Sequence, residues 1–308
     1  MGLGCMSMSH PGRDHAAALR TIRAAIDRGI TFLDTADRYG KGHNERLVGQ
    51  AVRGRRDGVV LATKVGFVGS PRDPRPVDGS PRHIRRALEG SLARLGGDPV
   101  DLLYLHRVDP RVPIEESVGA MAELVSEGLA RHIGLSEASP DTLRRAAAVH
   151  PVAALQSEYA LWSRDPERET LSLCRELGVT FVAYSPLGVG FLTGAVRRVE
   201  DLPRGNRLAK GPRVQPGNLE RNLAIVDDLT AMAARKGCTA AQLALAWLIA
   251  RGVVPIPGSA RLEHLLDNAG ALDVVLTADD LTEIDRIAPP GAAAGARKPV
   301  DGLALVEG

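Results

Sequence analysis

The chain has 308 residues, a formal net charge of +2 and a charged fraction of 25% carrying both signs. That balance advertises neither a basic nucleic-acid face nor an acidic disordered tail, so small molecules are the expected partners. A hydrophobic fraction of 44% can fill one large core, and a single domain over 1–308 is expected.

Three cysteines, Cys5, Cys174 and Cys238, lie far apart without a C-x-x-C spacing. They suggest no disulfide framework and no metal cluster. The first residues lack the basic start and long apolar core of a signal peptide, and no apolar run is long enough to span a bilayer. The expected location is a reducing cytoplasm, with no membrane partner.

Taken in chain order, a strand over 2–7 (GLGCMS) precedes an amphipathic helix over 15–29 (HAAALRTIRAAIDRG). Strands follow at 31–36 (TFLDTA) and 59–65 (VVLATKV), then a helix at 80–96 (SPRHIRRALEGSLARLG). Next come a strand at 100–107 (VDLLYLHR), a helix at 113–128 (PIEESVGAMAELVSEG), and strands at 130–137, 152–159 and 179–186. A helix at 218–237 and a strand at 253–259 (VVPIPGS) complete the series. The strand runs are apolar throughout rather than alternating, as parallel strands buried on both faces must be.

About eight strand–helix units in a chain of this length point to an α/β fold of the closed (β/α)8 TIM-barrel kind. The rival is an open doubly wound sheet. It lacks its Gly-x-Gly-x-x-Gly turn, because Gly2 and Gly4 are followed by Ser7. Loops at 68–80 and 202–216 are rich in Pro and Gly and are expected to border an active site. The tail at 289–308 is Ala/Gly-rich, and either a fold back across one end of the barrel or fraying is compatible with it.

Chemistry in such a barrel occurs at the carboxyl ends of the strands. There the second run ends in Asp34, the third in Lys64 and the fourth in His106, with Tyr39 one loop beyond Asp34. A tyrosine is a poor acid at neutral pH, but an adjacent ammonium favours its phenolate and moves it toward the working range. Lys64 is therefore expected to tune Tyr39, Asp34 to supply the counter-charge, and His106 to hydrogen-bond an oxygen gaining negative charge. Each residue has a plainer reading: Asp34 as a helix cap, Lys64 reaching to solvent, His106 in the core. Their joint placement on adjacent strand ends favours the functional one. Asp37 and Arg38 are read as solvated loop residues.

With these residues in view, FLDTADRYG, LATKVG and DLLYLHRVD resemble the aldo-keto reductase family. The resemblance continues through GLSEAS, ALQSEYALW, AYSPLGVGFLTG and IPGSARLEHLLDN, and GLGCM at the first strand resembles a bacterial branch of it. It implies a barrel that binds NADPH (NADP+) without a Rossmann domain and reduces a small carbonyl substrate. Asp34, Tyr39, Lys64 and His106 would be the catalytic tetrad, with Tyr39 the general acid and hydride coming from the nicotinamide.

Carried over by position, Ser136, Glu137 and Gln156 would face the carboxamide and Tyr184 would stack on the nicotinamide. Ser185, Leu187 and Gly190 would line the pyrophosphate. Gly258, Ser259, Arg261, His264, Asp267 and Asn268 would hold the adenosine half, and Gly4, Cys5 and Met6 would border the cofactor from the first strand. His264 stands where many members have Arg, which leaves Arg261 as the expected ligand of the 2′-phosphate.

The usual N-terminal β-hairpin is missing ahead of the first strand, so a less covered barrel floor is expected. Met6, Trp162 and the 68–80 loop are the candidates for the substrate wall, and an open pocket with few aromatics is expected. An alternative within the family's likeness is a catalytically weak NADPH-binding redox sensor. A barrel aldolase using Lys64 as an amine nucleophile is disfavoured by the expected pairing with Asp34.

Overall fold

The computed structural model describes residues 1–9, 12–69, 73, 76–202, 206–303, 306 and 307. Its elements begin with β1 (Leu3–Gly4), α1 (His15–Asp27), β2 (Phe32–Asp34), α2 (His43–Val52), β3 (Val60–Val65) and α3 (Pro81–Leu95). They continue with β4 (Val100–Leu105), α4 (Ile114–Ser126), β5 (Ala130–Ser136), α5 (Pro140–Val149), β6 (Val152–Glu158), α6 (Thr170–Glu176) and β7 (Thr180–Tyr184). The rest are α7 (Asn218–Arg235), α8 (Ala240–Ala250), β8 (Val254–Pro255), α9 (Leu262–Ala269), α10 (Ala278–Ile287) and α11 (Val300–Leu303).

The eight strands lie side by side in sequence order, every pair parallel. The ring closes through Gly2 N–H to the Pro255 carbonyl (2.9 Å), Gly4 N–H to the Pro257 carbonyl (3.2 Å) and a parallel bridge between Gly4 and Gly258. This is the (β/α)8 barrel.

The helices follow local signals. Ser80 accepts the His83 N–H at the start of α3, Pro81 occupies the first turn, and Gly96 ends the helix at φ 119°. The Asp14 carboxylate accepts the Ala16 and Ala17 N–H groups at the start of α1.

The first and last strands are shorter than the sequence suggests. After Gly4 the chain turns into a 3-10 helix at Met6–Ser9. Pro255 and Pro257 deprive β8 of ladder donors.

Inside the barrel Ala62, Leu102, Tyr104, Ala154, Val182 and Ile256 form a buried layer beneath the catalytic end. At the opposite end Val60, which shares the inward parity of Ala62, is 46% exposed, so the floor is open there. Among the described residues no strand precedes β1. The tail takes the first of its two expected courses: Asn222, 1% exposed, accepts the Ala294 N–H (2.8 Å) and donates to its carbonyl (3.0 Å), drawing residues after 289 back over the catalytic end.

Close packing across the barrel makes one glycine obligatory. A methyl group at Gly134 would lie 2.6 Å from the Tyr104 ring and 2.8 Å from the Ala154 carbonyl oxygen. Gly134→Ala is expected to lower stability by about 1–3 kcal/mol through overpacking. Denaturant unfolding checks this, and parent-like stability would contradict it.

Candidate active site

Side-chain alternation along parallel strands aims Asp34 of β2, Lys64 of β3 and the residue after β4, His106, into the catalytic mouth. Lys64 is wholly buried. Its Nζ donates to Asp34 Oδ1 (2.5 Å), to the Thr35 carbonyl (2.8 Å) and to Tyr39 Oη (3.4 Å). Burial alone would lower the Lys64 pKa, but the charges of Asp34 and Tyr39 and their hydrogen bonds outweigh it, and the net shift is upward. Lys64 is thus an ammonium, unsuited to the amine nucleophile of an aldolase.

Gln156 Nε2 donates to Asp34 Oδ2 (2.7 Å), so both carboxylate oxygens are occupied. Its amide nitrogen braces the ion pair. The register that sets Gln156 beside Ser136 and Val182 also turns it inward toward Asp34.

The His106 ring packs edge-on against Tyr39 (centroids 5.9 Å apart) and against Phe67 (5.4 Å). Phe67 was missed in the sequence, although an aromatic three residues past Lys64 in a chain with four Phe was a usable signal. The Arg38 guanidinium lies 3.7 Å from the Phe67 ring centre. Asp37 is pushed up to about 7, first by burial and then by the charge of Glu45. These two residues are therefore packed parts of the mouth, which corrects their reading as solvated loop.

Trp162 also departs from expectation. It is buried, stacked on Phe191 at 4.9 Å, and close enough to Gly188 that a methyl group there would clash with the indole. Phe67, packed against His106, takes its place beside the mouth. In the two loops named above, residues 70–72, 74, 75 and 203–205 lie outside the described residues, as do 10 and 11 ahead of α1 and 304, 305 and 308 of the tail.

On the other side of the mouth, Ser136 Oγ accepts from Arg107 (3.0 Å). Glu137, at φ 58°, does not present an open carboxylate. Oε1 accepts from Tyr184 Oη (2.5 Å) and the Glu158 N–H (3.1 Å), and Oε2 accepts from Arg297 (2.8 Å). Burial would raise its pKa, but Lys298, Arg297 and Arg107 hold it down to about 2. The left-handed backbone turns this side chain toward the tail.

Tyr184 closes β7 and is half-buried, its hydroxyl kept protonated by burial and the neighbouring Glu137 charge. Beyond it, Ser185 (φ 49°) and Gly190 (φ 97°) bend the loop that carries Leu187. Gly4 and Gly258 meet at the barrel seam. Cys5, by contrast, is fully buried in the core, its thiol pKa raised by burial and Asp34, so it lines no ligand surface.

At α9, Arg261 stands at the N-cap with no side chain capping the first turn. Ser259 Oγ accepts the Arg261 N–H (3.1 Å) and fixes the entry. Arg261 and His264 are exposed, and burial together with Arg261 lowers the His264 pKa, leaving it neutral at pH 7. Asn268 is buried at 4% exposure. Asp267 accepts from Thr239 (3.1 Å) and Gln242 (3.1 Å), pinning the start of α8.

These features fit a dinucleotide. A half-exposed tyrosine ring ends one strand, a glycine-bent loop follows it, and an uncapped helix N-terminus beside Arg261 offers N–H groups to a phosphate. Among the described residues no cluster of His, Cys, Asp or Glu could hold a metal ion, and no helix is long and apolar enough to cross a membrane.

The family model described as the Aldo/keto reductase family matches residues 1–289. A probable aldo-keto reductase 1 of Glycine max is 45% identical over 303 residues, covering 96% of this chain and 87% of that protein. Among solved structures, a glycerol dehydrogenase of Gluconobacter oxydans superposes with a TM-score of 0.86 at 28% identity, covering 97% of this chain and 93% of the other. An aldo/keto reductase of Klebsiella pneumoniae, solved with NADP and acetate, has a TM-score of 0.76 at 33% identity, covering 97% and 94%. Fold, catalytic-end geometry and these likenesses agree, and the chain belongs to the aldo/keto reductase family of NAD(P)H-dependent oxidoreductases.

Proposed function

We propose that this chain, acting as one domain over 1–308, reduces a small aldehyde or ketone to the alcohol with NADPH, and that Tyr39 donates the proton. The observation that carries the reading is the buried Lys64 ammonium, bonded to Asp34 at 2.5 Å and set 3.4 Å from Tyr39 Oη. A Klebsiella pneumoniae relative solved with NADPH supports the cofactor.

When bound, the cofactor supplies a hydride to the carbonyl carbon. Tyr39 Oη gives its proton to the carbonyl oxygen as negative charge develops there. Lys64 stabilises the charge left on Oη, and Asp34, the Thr35 carbonyl and Gln156 keep the ammonium in position. His106, packed between Tyr39 and Phe67, offers a ring N–H to the same carbonyl oxygen. Phe67 and Arg38 screen the mouth from water.

Tyr184 gives the nicotinamide a flat support, and Arg261 with the first turn of α9 holds the 2′-phosphate. The same groups run backwards in alcohol oxidation, with the Tyr39 phenolate taking the proton, which agrees with the dehydrogenase named among the similar structures.

Tyr39→Phe is expected to cut turnover of a simple aldehyde by roughly 10²- to 10⁴-fold while leaving the NADPH Kd nearly unchanged. Steady-state NADPH oxidation and fluorescence titration check the two halves, and a near-parent rate would remove Tyr39 from its role. Arg261→Ala is expected to weaken NADPH about tenfold and NADH much less. Equal losses for both nucleotides would place the 2′-phosphate elsewhere.

A further inference from the structure

Tyr184 is held from its hydroxyl end by residues far away in sequence. Lys298, 114 positions later, places Nζ 2.6 Å from Tyr184 Oη and 5.3 Å from the ring centre. The second distance exceeds the first by about the distance from a tyrosine ring centre to its own hydroxyl oxygen. The ammonium therefore lies in line with the C–O bond, in the ring plane, and leaves the ring faces uncovered. The hydroxyl accepts from Lys298 and donates to Glu137 Oε1, so its donor and an acceptor site are both used.

Glu137 is itself fixed. Arg297 binds its other oxygen (2.8 Å), with side-chain exposures of 8% for Arg297 and 4% for Glu137. The tail carrying both cations is tied down by Asn222 at Ala294, and by Gly295, whose added methyl would meet the Pro212 carbonyl oxygen at 2.8 Å.

The geometry points to the C-terminal tail as a positioning element of the cofactor site: Lys298, backed by Arg297 and Glu137, fixes the hydroxyl end of Tyr184 and with it the place of the ring on which a nicotinamide stacks. This rests on the proposed stacking at Tyr184. A side chain held at its hydroxyl cannot swing about its Cα–Cβ bond, so the place of its stacking surface is prepared before the ligand arrives, which lowers the ordering cost of binding.

The clamp also carries a pH dependence. Lys298 faces Glu137 and Glu158, with Arg297 and Arg107 as like charges and Tyr184 at its tip. Burial, opposed by the two carboxylates and aided by the arginines, brings its pKa down to about 8. The ammonium that clamps the ring is thus present below about pH 8 and lost as pH rises through it.

The test is NADP+ binding to the full chain, followed by protein fluorescence between pH 6.5 and 9.5, with folding checked by circular dichroism. Lys298→Met is expected to raise the Kd on the order of tenfold at pH 7 and to abolish the loss of affinity that the parent shows above pH 8. Lys298→Arg is expected to restore most of the affinity at pH 7 and to keep it at pH 9.5. In a Tyr184→Phe background, which lacks the hydroxyl, Lys298→Met is expected to add no further loss.

An unchanged Kd in a folded Lys298→Met, or losses that add in the double variant, would overturn the clamp. Should Lys298→Met fail to fold, the Lys298→Arg pH profile decides, and a parent-like decline above pH 8 would overturn it. Tyr184→Ala examines the underlying reading separately: unchanged NADP+ affinity there would place the nicotinamide away from this ring.

Discussion

An ammonium buried inside a barrel persists only beside a carboxylate that is itself fully hydrogen-bonded, and the Lys64–Asp34 pair meets that condition on neighbouring strands. Removing either charge alone strands the other in a low-dielectric interior. The pair therefore constrains its surroundings. Gln156 must reach Asp34 from β6, the Thr35 carbonyl must point at Nζ, and the β2 loop must bring Tyr39 back to within 3.4 Å of it. Only a closed parallel ring, whose strands all end at one mouth, brings β2, β3, β4 and β6 together this way.

From that centre the polar structure spreads in two directions. Toward the substrate side it runs through Tyr39 and His106 to Phe67 and Arg38, where aromatic packing replaces ion pairing. Toward the cofactor side, beyond Gln156, a second charged group is built on Glu137, Tyr184 and the tail cations. The first holds a charge near the reacting atoms. The second shapes a surface, with one carboxylate, Glu137, shared by the two tail cations.

The barrel was legible because buried parallel strands write long apolar runs and their helices carry clear caps, as at Ser80 and Gly96. Asp34, Lys64 and His106 were legible for a related reason: a polar residue ending an apolar run has few uses. The pairing of Gln156 with Asp34 spans 122 residues and leaves no local trace. The partners that occupy Glu137 and Asp267, in the tail and at the start of α8, are likewise distant in sequence and leave no local trace. Cys5 and Trp162 were lost to packing, which no local pattern around them revealed. The role of Arg297 and Lys298 was hidden because an Ala/Gly-rich tail gives no periodicity from which to place them.

The most direct measurement uses a variant that removes the central charge without stranding its partner. Asp34→Asn combined with Lys64→Met replaces the ion pair by a neutral pair of similar size. Its NADPH oxidation with a simple aldehyde, compared with the parent at equal cofactor saturation, is expected to fall by about 10²-fold or more, with the fold and NADPH binding retained. Turnover close to that of the parent would show that proton donation does not depend on a buried ammonium, and would contradict the account.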